Sequence, residues 1–287
     1  MNRKTFFGFA APSSFVMFVL LIFPLVYAIW LGTNFITFNT INEPRFVGLE
    51  NFQTILRDPL FWAAMRWTLL IIAITVPTHL FLGFSFALLL DQFQGRIRAF
   101  YMAALLMPMI VVPLIGMIVF RQLFDPPGLF AYIYRLITGG IFVFTPLSIQ
   151  TLIVIHTIWI YTPWAIVLFF AGMQSLPGDQ IDASAIDGAS RLQQVRHIIV
   201  PHLRALIILA AAIGIMDAFR LYDNVFALTR NNPIFGANTI MVFNYNVAFS
   251  VNRLGLANAT AIIATIAIMV ALIPFLYYMY REQIEAR

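Results

Sequence analysis

The chain has 287 residues, of which 61% are hydrophobic and 10% are charged, and its formal net charge is +5. Soluble domains are roughly half apolar and about a quarter charged, so this composition predicts an integral membrane protein. Cysteine is absent, which excludes disulfides, thiolate metal sites and thiol catalysis. The positive charge is almost entirely arginine and forms no basic run, so it predicts membrane orientation and no nucleic-acid partner.

Six apolar runs are long enough to cross a bilayer, because a spanning helix needs about 20 residues. Backbone groups in lipid must be satisfied internally, and the sequence has no alternating strands typical of a membrane barrel, so we predict an all-α fold. Residues 1–287 are expected to form a single transmembrane domain. Its predicted spans are 12–33, 66–90, 99–121, 148–173, 203–222 and 257–280. Among the prolines inside these spans, four in the second, third and fourth are expected to kink them: Pro77, Pro108, Pro113 and Pro163.

The distribution of arginine and lysine predicts the orientation. An even number of spans places both termini on one side of the membrane. With both termini in the cytoplasm, nine cationic residues lie on the shorter set of loops, as the positive-inside rule requires. This orientation places the segment 176–201 in the cytoplasm.

The segment 176–201 is polar and lies between the fourth and fifth apolar runs. Pro177 and Gly178 are expected to end the fourth span, and Asp179 is expected to cap a new short helix. Gly188 predicts a tight turn, because glycine takes the left-handed backbone conformation without steric cost.

A second short helix is predicted from Leu192 to about Val200. Ser190 and Gln193 have the spacing of a capping box, and Pro201 is expected to close the helix. Two interpretations of the resulting hairpin stay open: an anchor lying on the membrane surface, or a docking site for another protein. The small, acidic residues 182–189 suit close approach of a protein backbone better than contact with an anionic membrane surface.

The hairpin also resembles a known motif. The run DASAIDGA at 182–189, followed by IVP at 199–201, is similar to the EAA loop of permease subunits in binding-protein-dependent ABC importers. The family pattern is E-A-A-x-x-D-G-A and then I-x-x-P, so Asp182 replaces a glutamate and Ser184 replaces the second alanine.

Further segments resemble the sugar-transporting, maltose- and glycerol-phosphate-type branch of that family. They are FVGLENF at 46–52, LLLD at 88–91, GRIR at 95–98, the pair at 107–108, and LYD to LT followed by proline within 221–233. Asn231 and Asn232 stand where the branch has two glycines. We expect them to preserve the turn, because asparagine tolerates a positive φ better than most residues.

The resemblance implies a type I importer permease fold in a bacterial inner membrane. It implies a second, related permease subunit, two cytoplasmic ATPase subunits, an extracytoplasmic solute-binding protein, a sugar-type substrate and contact with membrane lipid. The sequence has no G-x-x-x-x-G-K-[ST] phosphate loop, so we predict no enzymatic activity and no cofactor in this chain; ATP and Mg²⁺ are expected on the ATPase. The residues expected to couple the chain to the ATPase are Asp182, Ala183, Ala185, Asp187, Gly188, Ala189 and Pro201.

Polar and aromatic residues in or near the spans are candidates for the substrate path. Sugars bind to aromatic faces and to amide and carboxylate groups, and charges at membrane depth usually face a cavity or a partner. The candidates are Trp159, Tyr161, Asp217, Arg220, Asp223, Asn224, Asn244 and Tyr245.

Each candidate also has a structural interpretation. Asp217 and Arg220 lie on one helical face and form either part of the path or a self-neutralising pair. Asp223 and Asn224 are alternatively a helix cap, and Asn244 and Tyr245 part of a folded outer loop. For Trp159 and Tyr161, packing is the favoured interpretation.

Two histidines lie isolated in apolar runs of the sequence. His79 and His156 lack further ligands at metal spacing, so both are predicted to be buried and hydrogen-bonded.

A membrane transferase is one alternative function, because residues 187–191 are similar to its D-G-x-x-A-R element, although no aspartate lies between Asp187 and Asp217. A self-contained secondary transporter is the other.

Overall fold

The computed structural model of the protein describes residues 3–285 and is helical over most of them, which confirms the predicted all-α class. A short antiparallel pair, β1 Asn34–Phe35 with β2 Arg45–Phe46, lies between the first two helices. The helices are α1 Arg3–Gly32, α2 Glu50–Arg57, α3 Pro59–Asp91, α4 Gly95–Ile110, α5 Pro113–Phe124, α6 Leu129–Thr138, α7 Pro146–Gln174, α8 Gly178–Ile186, α9 Arg191–Gln194, α10 Val200–His202, α11 Arg204–Phe219, α12 Asp223–Thr229, α13 Ile240–Tyr245 and α14 Leu254–Glu285.

Four described helices are long and apolar enough to cross a membrane, and the number rises to six if each of two bent helix pairs counts as one span. The four contain the stretches Ala11–Gly32, Pro59–Asp91, Pro146–Gln174 and Leu254–Arg281. The bent pairs are Gly95–Ile110 with Pro113–Thr138, and Arg191–His202 with Arg204–Phe219.

The third predicted span, 99–121, is not one continuous helix. Helix α4 ends at Ile110, α5 begins at Pro113, and the pair that they belong to is bent by 94°. Val111 and Val112 have extended backbone, with ψ of 128° and 126°. The proline ring at position 113 disfavours helical conformation in the residue before it, which explains the break. Pro77 and Pro163, by contrast, lie inside continuous helices.

The turn at 229–232 is only partly as predicted. Arg230 and Asn231 take positive φ values of 51° and 56°. Asn232 was also expected to take this conformation, but its φ is −83°, and its side chain accepts a hydrogen bond from the backbone of Ile234. Asparagine can serve either purpose, because its short side chain readily caps a following turn.

The chain divides into two compact units, and the first comprises residues 1–62 and 243–267. Within it, the buried Asn51 of α2 donates hydrogen bonds to the carbonyls of Gly32 and Asn34, at 2.9 Å each. Gly255 lies against the backbone of Asn34 so closely that a Cβ there would overlap it. The asparagine of the FVGLENF segment therefore holds the end of α1 in place.

The second unit comprises residues 63–242 and 268–287. One of its apolar clusters is built on α3, α5, α7 and α12 around Ile71, Met117 and Ile153. Another cluster gathers the ends of α3, α7 and α11: Ala87, Ala165, Phe169, Met173, Ile199, Leu203 and Ala210. Helices α3 and α7 approach closely because Gly83 has no Cβ to overlap Ala165.

Candidate functional site

The polar segment 176–201 forms a hairpin of short helices. Helix α8 ends at Ile186, and the chain turns through Gly188, whose φ is +79°. Backbone hydrogen bonds from Gly188 to Ala185, at 3.1 Å, and from Ala189 to Ser184, at 2.9 Å, close the turn. The turn has the geometry of a helix C-terminal cap, in which glycine is favoured at the left-handed position.

The two predicted caps of the hairpin have different outcomes. Ser190 and Gln193 form the expected capping box, with the backbone of Ser190 donating to Gln193 Oε1 at 2.7 Å. The prediction for Asp179 is wrong: the N-cap position is Pro177, which makes no side-chain cap hydrogen bond, and Asp179 lies in the first turn of α8. A carboxylate in the first turn still interacts favourably with the helix dipole.

The second helix of the hairpin is more irregular than predicted. Helix α9 ends at Gln194, a π-helical turn follows over Val195–Ile199, and α10 runs over Val200–His202. Pro201 therefore lies within a helical segment and does not close it. Since proline lacks a backbone N–H, the ordinary helical hydrogen bond is lost at this residue, and irregular turns and bends of this kind accompany such losses. The axis then bends by 67° into α11.

Most of the residues predicted to couple to an ATPase are exposed on the surface of the hairpin. Ala189 is half-buried, and the others are exposed: Asp182, Ala183, Ala185, Asp187, Gly188 and Pro201. Two large apolar side chains that the sequence reading did not select lie beside them. Ile186 is 87% exposed and Leu192 is 77% exposed. No sequence signal separates them from Ile181, Val195 and Ile199 of the same segment, which pack in the apolar cluster on α3 and α7.

A cavity of about 260 Å³ lies in the second unit between α3, α7, α11 and the break that follows α4. Its polar and aromatic lining comes from His79, Tyr161, Trp164 and Asp217. The remaining lining is apolar or glycine: Met109, Val111, Pro113, Ile160, Ile213 and Gly214. The extended residues between α4 and α5 are thus part of the cavity wall.

Helix α11 approaches α3 closely at Gly214, which lines the cavity. A Cβ added there would lie 3.3 Å from the imidazole of His79 and 3.3 Å from the side chain of Val76. The His79 ring is held by Nδ1, which is 2.8 Å from the carbonyl of Thr75, and its centroid lies 6.1 Å from that of Tyr161. His79, Trp164 and Gly214 were not selected as path residues from the sequence.

The predicted path residues are distributed over several places. Tyr161 and Asp217 line the cavity, whereas Trp159 is 42% exposed and lines a separate apolar cleft. Arg220 is exposed at the end of α11, and the described structure contains no salt bridge between it and Asp217. Their charges interact without a direct ion pair, so both interpretations of these two residues stay predictions.

The remaining path candidates lie outside the cavity lining. Asp223 begins α12, and the next residue, Asn224, is buried with no hydrogen-bond partner for Oδ1 among residues 3–285. Asn244 and Tyr245 end α13 and belong to the first unit. There, Tyr245 packs against Phe249 with ring centroids 4.8 Å apart.

The two histidines differ from each other. His79 is buried and hydrogen-bonded, as predicted. His156 is fully buried, but neither of its ring nitrogens has a hydrogen-bond partner within residues 3–285, so the prediction of a bonded histidine is wrong there. Its neighbours are the aromatic rings of Phe120 and Trp159, which offer no strong acceptor. No group of three metal-ligating side chains occurs in the described part of the chain.

Helices long and apolar enough to cross a membrane, an exposed polar hairpin and a cavity between helices are features expected of a transport permease. The sequence matches the family "Binding-protein-dependent transport system inner membrane component" over residues 79–287, and the chain belongs to this family. It is thus a permease subunit of an ABC importer in the inner membrane, as predicted. The family gives no support to a secondary transporter or a membrane transferase.

Similar proteins and structures agree with this assignment. The chain is 30% identical to a probable ABC transporter permease of Sinorhizobium fredii, y4oQ, over 97% of this chain and 91% of that protein. It is 29% identical to the trehalose transport permease SugA of Mycobacterium tuberculosis, over 96% and 88%. A bacterial alginate ABC transporter, solved with an alginate-pentasaccharide-bound periplasmic protein, shares the fold with a TM-score of 0.82, 15% identity and coverage of 97% and 94%.

Proposed function

We propose that this chain forms half of the translocation path of an ATP-driven importer for a carbohydrate or sugar-derived solute. In this proposal, residues 1–287 act as one transmembrane domain, both termini are cytoplasmic, and the hairpin 176–201 receives a separate ATPase. The trehalose permease SugA and the alginate transporter, which handle sugars by their names, support the substrate class.

The observation that carries the coupling role is the exposed pair of apolar side chains on the hairpin. Ile186 and Leu192 flank the left-handed turn at Gly188 and lie beside the carboxylates of Asp182 and Asp187. Acidic groups are repelled by an anionic membrane surface, so these apolar side chains suit a protein groove better than lipid. Burying an isoleucine or leucine in such a groove is worth about 1.5–3 kcal/mol each.

The mechanism follows from the hairpin's position in the chain. It connects α7 to α11, so closure of two ATPase subunits around ATP and Mg²⁺ would shift the hairpin as a rigid body and rock the helices between inward-open and outward-open states. A second, related permease completes the path, and an extracytoplasmic binding protein delivers the solute. Contacts between Asp182 and the ATPase, and free turning at Gly188, belong to the same proposal.

The cavity supplies chemistry suited to a sugar. Trp164 and Tyr161 offer aromatic faces to its C–H surfaces, while Asp217 and His79 offer acceptors or donors to its hydroxyls. Apolar walls with a few convergent polar groups are typical of small-molecule sites. The other six candidates for the path lie outside this lining and are weaker candidates for that reason: Trp159, Arg220, Asp223, Asn224, Asn244 and Tyr245.

Single-cysteine cross-linking tests the function. The chain has no cysteine, so Ile186→Cys introduces one thiol on the hairpin, and Ile234→Cys places a control thiol at 74% exposure in an outer loop. In membranes that contain the assembled importer, we expect the Ile186→Cys thiol to cross-link to the ATPase and the Ile234→Cys thiol not to. In vesicles with the binding protein present, we expect ATP to drive sugar uptake. Uptake without ATP, or a hairpin thiol that reacts only with lipid probes, contradicts the proposal.

A further inference from the structure

We propose that Asp91, the last residue of α3, is a positioning residue for coupling: it anchors the hairpin to the membrane helices that the ATPase must move. This inference rests on the proposed function of the hairpin. It assigns a route for the movement that the resemblance to the EAA loop does not specify.

A single carboxylate joins three elements at this position. Asp91 Oδ2 lies 3.0 Å from Nη2 of Arg191, the first residue of α9. Its other oxygen, Oδ1, accepts a hydrogen bond from Nε2 of Gln174, the last residue of α7, at 3.2 Å. The ends of α3 and α7 are therefore held to the start of the hairpin's second helix.

The polar contacts continue from Arg191 into the first helix of the hairpin. Arg191 Nη1 donates to Gln194 Oε1 at 3.4 Å, and Gln194 Nε2 donates to Ser184 Oγ at 3.0 Å. Gln194 is buried, so its amide is shielded from competing water. Ser184 is one of the two residues at which the hairpin departs from the E-A-A pattern. Its hydroxyl is the nearer of two acceptors for the Gln194 amide, the other being the Ile181 carbonyl at 3.5 Å, and an alanine would lack it.

The helices that receive this anchor are packed tightly against each other. At Gly83, α3 lies against Ala165 of α7 with no room for a Cβ between them, and Ala87 packs with Phe169 in the same cluster. The covalent connection from the hairpin to α11 is different, because it passes through the π-helical turn Val195–Ile199 and a bend of 67°. The direct polar connection therefore joins the hairpin to the α3–α7 pair.

The exposure of the ion pair indicates that its role is positional. The side chains of Arg191 and Asp91 are 42% and 31% exposed, and pairs of this kind add little to folding stability. Removing the pair should leave the permease folded and inserted. Single changes along a coupling network alter coupling free energies by about 0.5–2 kcal/mol, which corresponds to about a two- to thirtyfold change in coupled activity.

A charge swap tests the inference in the complete importer reconstituted in vesicles. We expect Asp91→Arg and Arg191→Asp each to lower solute uptake per ATP hydrolysed by about two- to thirtyfold, while the ATPase still co-purifies. The double variant, which restores opposite charges, should recover most of the uptake. Asp91→Asn, which keeps the shape of the side chain and the contact with Gln174, should give a smaller loss. Arg96→Asp, in the first turn of α4, is the control for charge reversal alone.

The outcomes separate the two proposals. If Asp91→Arg couples like the unchanged protein, or if the double variant is no better than the single ones, the anchoring role is wrong although the importer assignment stands. If no ATPase co-purifies even with the unchanged protein, the proposed function itself fails. If Asp91→Arg does not insert into the membrane, Asp91→Asn becomes the test. Equal uptake per ATP hydrolysed in Asp91→Asn and in the unchanged protein then contradicts the anchoring role.

Discussion

The hairpin and the cavity are built in opposite ways. The hairpin is a contiguous segment, and its turn, capping box and exposed face follow from residues a few positions apart. The cavity draws its polar lining from three helices, with more than a hundred residues between His79 and Asp217. Local chemistry therefore specifies the first region, whereas the second exists only after the helices have packed. Perturbations should act accordingly: changes in the hairpin should affect the ATPase, and changes in the cavity should affect the solute.

Gly188→Val is expected to have the largest effect. A β-branched residue at a φ of +79° strains the backbone by about 1–3 kcal/mol and should displace the whole turn. We expect uptake to fall to near background while the ATPase continues to hydrolyse ATP, because movement of the ATPase then no longer moves the helices of the permease. The measurement is the ratio of solute taken up to ATP hydrolysed in reconstituted vesicles.

Gly178→Val is the matched control for that variant. Gly178 is on the same hairpin and, like Gly188, has no atom within 4 Å of an added Cβ, but its backbone is not left-handed. It should retain most of the coupled uptake. Equal loss in both variants, or a fully coupled Gly188→Val protein, contradicts the role of the turn.

Ile186→Ser tests the apolar part of the hairpin. If Ile186 enters a groove on the ATPase, its loss removes about 1.5–3 kcal/mol of binding, which weakens association by about ten- to a hundredfold. The measurement is the affinity of the isolated ATPase for the reconstituted permease. Ile234→Ser, at similar exposure in the segment between α12 and α13, should bind the ATPase as the unchanged protein does. A normal affinity for Ile186→Ser contradicts the docking surface.

Asp217→Asn tests the cavity side of the comparison. Replacing the carboxylate weakens a hydrogen bond to a solute hydroxyl by about 1.5 kcal/mol, so the solute concentration for half-maximal uptake should rise about tenfold. ATPase binding should not change. Arg220→Gln, at the exposed end of the same helix, is the control and should leave both quantities unaffected. If Arg220→Gln has the same effect and the double variant is no worse, the two residues act as a pair and Asp217 does not face the solute.

Much of the hairpin could be predicted because its determinants are local. The turn at Gly188 and the Ser190–Gln193 box follow from backbone conformation and from spacing within one helical turn. The errors also have local causes: Pro177 occupies the cap position that Asp179 was expected to fill, and Pro201 is accommodated within a π-helical and α-helical run. The cap position at Pro177 and the helical run around Pro201 depend on how the following helix packs. The spacing of residues in the sequence does not show that packing.

The cavity could be predicted only in part, for a physical reason. Tyr161 and Asp217 stand out as polar residues within apolar runs, so the sequence draws attention to them. Nothing in the sequence indicates that His79 and Gly214 line the same cavity, because they come together only when α3 packs against α11. The break at Val111 and Val112 follows from Pro113, but its position in the cavity wall is again a result of tertiary packing.

The smallest predicted effect concerns the place where the hairpin departs from its family pattern. Ser184→Ala restores the usual alanine and removes the nearer of the two acceptors of the Gln194 amide, Ser184 Oγ at 3.0 Å, and leaves the Ile181 carbonyl at 3.5 Å. Loss of one such hydrogen bond costs about 1 kcal/mol, so backbone amides of α8 and α9 should exchange with deuterium about fivefold faster. Ser85→Ala is the matched control, because the hydroxyl of Ser85 bonds to the Phe81 carbonyl of its own helix. If hairpin exchange is unchanged in Ser184→Ala, the network does not hold α8 and α9 together, and the conformation of the hairpin depends on the turn and the capping box alone.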